Sequence, residues 1–143
     1  MNELSIDLER FVEAQSWNYE VAVAELKAGK KRSHWMWYIF PQMRGLGRSS
    51  MAEMYGIAGL DEARRYLEHE ILGKRLREVC EAILGLSTDD AHEVFGDIDS
   101  LKLKSSMTLF DLVSPDDIFA RVLNKYYGGE RDNKTLKLLE GQI

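Results

Sequence analysis

A chain of 143 residues, 45% hydrophobic and 30% charged with a net charge of −5, has the balance of an ordinary globular domain large enough to bury a core unaided, and its acidity argues against a general nucleic-acid coat protein. The single cysteine, Cys80, has no partner for an internal disulfide, and no Cys/His spacing suits a zinc cage, so a reducing, cytoplasmic compartment is expected, with no metal site and no cofactor. Met1–Asp7 lacks the basic and apolar regions of a signal peptide, and the longest apolar run, Trp35–Pro41, is too short to cross a bilayer, so no membrane partner is expected.

In chain order, Leu4, Leu8, Phe11, Val12 and Gln15 form one stripe opposite Glu9, Arg10 and Glu13, which predicts an amphipathic helix over Ser5–Gln15. Tyr19, Ala22, Val23 and Leu26 predict a second helix, ended by Gly29, with Lys30–Arg32 in a loop. Ser33 is placed to cap a helix that starts at His34 and ends before Pro41. A turn around Gly45 and Gly47 then leads to a short helix capped by Ser49 or Ser50, running through Tyr55 and stopped by Gly56. Asp61 opens a helix with Ala63, Tyr66 and Leu67 facing inward, and Leu72, Leu76, Val79, Cys80 and Ile83 form a stripe that ends near Gly85. Cys80 therefore reads as a core thiol.

Thr88 predicts the start of another short helix that stops at Gly96. Ser114-Pro115-Asp116-Asp117 reads as an N-cap, a first-turn proline and dipole-matched acids, opening a helix with Ile118, Phe119, Val122, Leu123 and Tyr126 on its buried face and Gly128-Gly129 at its end. A last helix is predicted over Asn133–Glu140. Only Leu101-Lys102-Leu103-Lys104 alternates with period two, so at most one minor strand pair is expected. The pattern predicts an all-α, single-domain multihelical array spanning residues 1–143.

One segment departs from the acidic average. Between Leu26 and Ala52 there is no Asp or Glu, whereas Lys27, Lys30, Lys31, Arg32, Arg44 and Arg48 bring six positive charges, leaving −11 on the remainder. Such a patch focuses a field that collects anions if the charges converge. Arg44-Gly45-Leu46-Gly47-Arg48-Ser49-Ser50 leads into a helix start, where small residues and free N–H groups suit an anion and arginine can grip phosphate with paired hydrogen bonds. Its glycine spacing matches neither a P-loop nor a dinucleotide fingerprint. Lys104-Ser105-Ser106-Met107-Thr108 reads first as tight helix packing, with Lys104 and the hydroxyls as a second contributor to a polar pocket.

The run from Lys31 through Ser50, with Ala52, Tyr55-Gly56-Ile57 and the later Lys102-Leu103-Lys104-Ser105-Ser106-Met107-Thr108-Leu109-Phe110, resembles an uncharacterised bacterial family of helical proteins, some of which carry the label calpastatin, a calpain inhibitor. The resemblance covers Leu8 to Leu139. It implies an all-helical fold and no established activity, and the inhibitor function is not carried over to a compact, proline-poor chain.

The expected function is therefore a pocket for a small anionic, phosphate-bearing and nucleotide-like ligand, built from Lys31, Arg32, Arg44, Arg48, Ser49 and Ser50, with Trp35 or Trp37 as a stacking wall and Lys104 as a further contact. If the protein does chemistry, His34 is the expected acid or base of a metal-independent transfer or hydrolysis, since histidine side chains in general exchange protons near neutral pH. The alternative is a protein-interaction module that uses an exposed Trp/Arg patch. Single-stranded nucleic acid is disfavoured by the acidic remainder.

Overall fold

A computed structural model describes residues 3–143, and their side chains from Leu8 onward. The expectations placed on Met1–Asp7, including Leu4 as the first stripe position, lie outside the described residues.

Eight helices follow one another among the described residues: α1 (Glu3–Lys27), α2 (Met36–Ile39), α3 (Ser50–Tyr55), α4 (Leu60–Glu68), α5 (Leu72–Leu84), α6 (Ala91–Val113), α7 (Ile118–Tyr127) and α8 (Asn133–Leu138). The chain is all-α. Its one β-like feature among the described residues is an isolated parallel bridge between Met43 and Ile57, in which the Arg44 amide donates to the Ile57 carbonyl (2.8 Å) and the Ile57 amide to the Gln42 carbonyl (2.9 Å). No helix among the described residues is long and apolar enough to cross a membrane.

The first two predicted helices are one. Nothing in Ser16-Trp17-Asn18 breaks a helix, and buried Leu8, Phe11, Gln15, Ala22 and Leu26 keep a single stripe along α1. Gly29 ends it as expected, at φ +80°, with its amide on the Leu26 carbonyl. The helix expected from His34 is only the single turn of α2, because Ser33 does not cap it; its hydroxyl bonds Glu25 instead. Ser49 does cap α3, accepting from the Ala52 amide.

Three further boundaries differ. Asp90 rather than Thr88 caps α6, accepting from the His92 amide, while the Thr88 hydroxyl takes the Asp90 amide. Gly96, at φ +81°, does break the helix, but a second helical stretch continues directly across the kink to Val113. Ser114-Pro115-Asp116-Asp117 is a turn between helices: Asp117 is the N-cap of α7, and the Ser114 hydroxyl bonds the Asp117 carboxylate at 2.7 Å. The Arg77 guanidinium, opposed by burial and aided by the Ser114 and Ile118 hydrogen bonds, holds the Asp117 carboxyl down at about 2.

The core sits where α6 packs against α4, α7 and α8, and where α5 lies against α1, α4 and α7. Both predicted stripes bury as read, Leu72, Leu76, Val79, Cys80 and Ile83 on α5 and Ile118, Phe119, Val122, Leu123 and Tyr126 on α7. Burial pushes the Cys80 thiol well above its ordinary range, and the sulfur rests on that of Met107. The Ser105–Thr108 hydroxyl cluster is interior as well, with Ser105 and Thr108 bonded back to the carbonyls four residues earlier, the packing role read for it.

Candidate functional site

The basic segment is anchored by a residue outside it. Glu25, near the end of α1, accepts four hydrogen bonds: from the Arg32 amide (2.8 Å), the Ser33 amide (2.9 Å), the Ser33 hydroxyl (2.5 Å) and the Trp35 indole N–H (3.0 Å). This carboxylate fixes the loop ahead of α2 and thereby sets where His34 and Trp37 lie. Burial pushes the Glu25 carboxyl up, but the hydrogen bonds from Ser33, Arg32 and Trp35 outweigh it, leaving a pKa of about 2. Because the folded value is depressed, the stabilisation is present above the ordinary carboxylate range near 4.5 and is lost as pH falls toward 2. Glu25→Gln should cost about 1–2 kcal/mol at neutral pH, and the gap to the parent should close as denaturation curves are taken down through that window.

Beyond this anchor, Trp37 projects half-buried into the space between α2 and α6. A cleft of about 530 Å³ is lined there by Lys31, His34, Trp37, Ile98, Asp99 and Lys102, with Met36 and Phe95 at its floor and Asp97 at its rim. A second, narrow hollow adjoins it, lined by Trp37, Phe40, Gln42, Ala52, Tyr55, Gly56 and Lys102. Met36, Trp37 and Lys102 belong to both spaces. The larger volume is within the range of small-molecule sites. The hollow, about 10 Å³, has room for one water-sized group.

The electrostatics centre on one carboxylate. Asp99 takes Lys31 at 2.8 Å and Lys102 at 3.6 Å, so two ammonium groups share one carboxylate, and Asp97 at the rim brings the lysine and aspartate charges of the lining into balance. Lys102 lies 5.2 Å from the centroid of the Trp37 ring and Lys31 4.9 Å from that of Trp35. At the rim, Asp97 pairs with His92 (2.9 Å). His34 is exposed, with no hydrogen-bond partner among the described residues. The hollow keeps its shape through Gly56, where an added Cβ would sit 2.7 Å from the Arg44 Cα, and Gly47, where one would sit 2.7 Å from the Ala52 Cβ.

Of the residues expected to form one pocket, the fold brings together Lys31, His34 and Trp37. Trp35 is fully buried behind them and presents no face for stacking. Arg44 is exposed, with its guanidinium on the Gly56 carbonyl (3.2 Å), and Arg32 contributes its amide to Glu25 while its exposed side chain lines neither space. Ser49 spends its oxygen on capping α3, and Ser50 is the exposed first residue of that helix. Arg48 lies across the Gly45–Ser49 turn in a different depression, and Lys104 faces Tyr127 and Glu130. The six charges thus do not converge.

Sequence reasoning passes over Glu25, Gln42, Tyr55, Asp99 and Lys102. The signal for Lys102 is its spacing from Lys104: two residues apart in a helix means nearly opposite faces, so only one of them can meet Trp37. His69 has a structural role, its Nδ1 accepting from the Ile71 and Leu72 amides ahead of α5 (3.1 and 3.3 Å). Among the described residues no group of three or more His, Cys, Asp or Glu side chains is arranged to hold a metal ion.

A family model described as "Protein of unknown function (DUF1810)" matches residues 5–139. Among solved structures, the chain is similar to the conserved hypothetical protein Rv1873 from Mycobacterium tuberculosis, at 49% identity and a TM-score of 0.91, over 94% of this chain and 96% of that one. No curated protein matches.

Proposed function

Because the chain belongs to a family whose function is unknown, DUF1810, its role has to be read from its own site, and we propose that it binds a small phosphate-bearing, nucleotide-like ligand in the Trp37 cleft. The observation that carries this reading is the sharing of Trp37 and Lys102 by the open cleft and the narrow hollow, which sets a flat aromatic ring beside an ammonium group where two spaces join. Trp37 offers a stacking surface and Lys102 a charge contact, while Lys31 holds Asp99 and so leaves Lys102 the freer of the two lysines. The Gln42 amide and Tyr55 line the hollow as groups able to read a ligand's polar edge.

His34, exposed on the same cleft, is the residue assigned to proton transfer if the ligand is turned over. A lone buried cysteine supports a reducing, cytoplasmic setting. A calpain-inhibitor role is not part of this reading, since an array of capped helices shares nothing with an extended, proline-rich inhibitor.

The test is a binding titration with nucleotides, sugar phosphates and inorganic phosphate against the parent, Trp37→Ala and Lys102→Ala proteins. Loss of the Lys102 charge contact should weaken binding by roughly tenfold or more, and loss of Trp37 should penalise ring-bearing ligands selectively. Binding that survives both substitutions unchanged contradicts the assignment. A second reading, a protein-interaction surface, draws support from Ile98 and Leu101, 72% and 64% exposed on α6 beside the cleft. Trp35, fully buried, is no part of such a surface.

A further inference from the structure

Arg48, separated from the Trp37 cleft by its own turn, meets two residues from the other end of the chain. Together with Lys134 and Lys137 of α8 it lines a depression of about 330 Å³, completed by Gly45, Leu46 and Leu138. None of the lining residues is acidic, and none of the three cations is paired with a carboxylate among the described residues. Ten of the nineteen lysines and arginines form no ion pair among the described residues, so what sets these three apart is that they line one concavity with no acidic side chain in it. An anion entering this depression meets three positive side chains and no carboxylate that competes for them.

From this arrangement we infer a second site, separate from the Trp37 cleft, that takes the phosphate group of a small soluble phosphomonoester. A phosphomonoester carries close to two negative charges near neutral pH and matches three cations lining one depression better than a carboxylate does. Arg48 supplies a planar fork for two phosphate oxygens, and Lys134 and Lys137 supply point charges from one helix. Leu46 and Leu138 give the organic part of the ligand an apolar rest. The shape is set locally: Gly45 stands at φ +103°, and the Leu138 methyls lie 3.8 Å from where its Cβ would be, so the turn and α8 pack directly against each other. This inference does not depend on what the Trp37 cleft binds.

The experiment is an amide NMR titration of the full chain with inorganic phosphate and with glycerol phosphate, at low and at raised salt, beside flotation with vesicles containing phosphatidylglycerol. The expected result is saturable shifts at Gly45, Leu46, Lys134 and Lys137 that weaken with salt, fall by roughly tenfold or more in affinity in Lys134→Gln/Lys137→Gln, and persist in Lys102→Ala. Arg48→Lys should recover part of what Arg48→Ala loses, a readout that keeps the test valid if one variant folds poorly. Absence of these shifts, shifts indifferent to removal of the three charges, or vesicle capture without any response to the soluble phosphates would overturn the inference.

Discussion

Trp35→Ala should lower stability by about 3–5 kcal/mol, the cost of emptying a fully buried tryptophan site. In a chain of this size that corresponds to a fall in Tm of roughly 10 °C or more. Trp35 is the largest of the fully buried side chains, with Phe40 and Lys31 packed against it and its indole N–H on Glu25. Removing it opens a cavity under α2 and also takes one donor from the carboxylate that anchors the loop. Trp35→Phe should cost clearly less, since it keeps much of the volume and loses chiefly the hydrogen bond. Calorimetry on the two variants distinguishes these terms. If Trp35→Ala melts within a degree or two of the parent, this tryptophan does not sit in the core.

The second large effect is expected at the docking of the C-terminal helix. Asp111 on α6 is 1% exposed, and Arg131 is its ionic partner, with Nε at 2.8 Å and a second guanidinium nitrogen on the same Oδ2 atom. Oδ1 has no partner among the described residues. The Asp132 amide bonds the Thr108 hydroxyl one residue further on, so this pair and that bond together seat the loop before α8. Arg131→Ala strands a buried carboxylate and should destabilise by about 2–4 kcal/mol, the lower end reflecting the half-exposed arginine. Adding Asp111→Asn should return at least about 1 kcal/mol, because the double variant buries no uncompensated charge. Urea denaturation of the single and double variants is the measurement, and strict additivity of two losses would refute the ion-pair account.

What the sequence discloses here is largely what local chemistry decides. Ser49, Gly29 and Gly128 act as the helix ends their residue types favour, and the α5 and α7 stripes bury as their period requires, because each depends on neighbours within a turn or two. Where a distant partner competes, the local reading fails. Ser33 looks like a cap until Glu25, eight residues earlier, takes its hydroxyl and its amide together. Gly96 reads correctly as a break but not as a kink that a second helical stretch crosses.

The candidate site was legible in part for the same reason. The Lys31–Ser50 segment supplies one wall of the cleft and α6 the other, which composition does not announce, and two tryptophans two residues apart part company, Trp35 into the core and Trp37 into the cleft, a choice made by tertiary packing. The basic run looks like one patch because charge is counted along the chain. In space Lys31 is drawn to Asp99 and Arg48 to the company of Lys134 and Lys137, partners more than sixty residues away that no local pattern announces.

The most direct test of the central proposal follows the indole N–H resonance of Trp37 during titration with a nucleotide monophosphate. A saturable shift at Trp37 is expected, accompanied by the Lys102 and Gln42 amides, with little change at the buried Trp35 and the exposed Trp17 and roughly tenfold or greater weakening in Lys102→Ala. A Trp37 resonance that stays fixed at millimolar ligand, or shifts confined to surfaces away from α2 and α6, would contradict it.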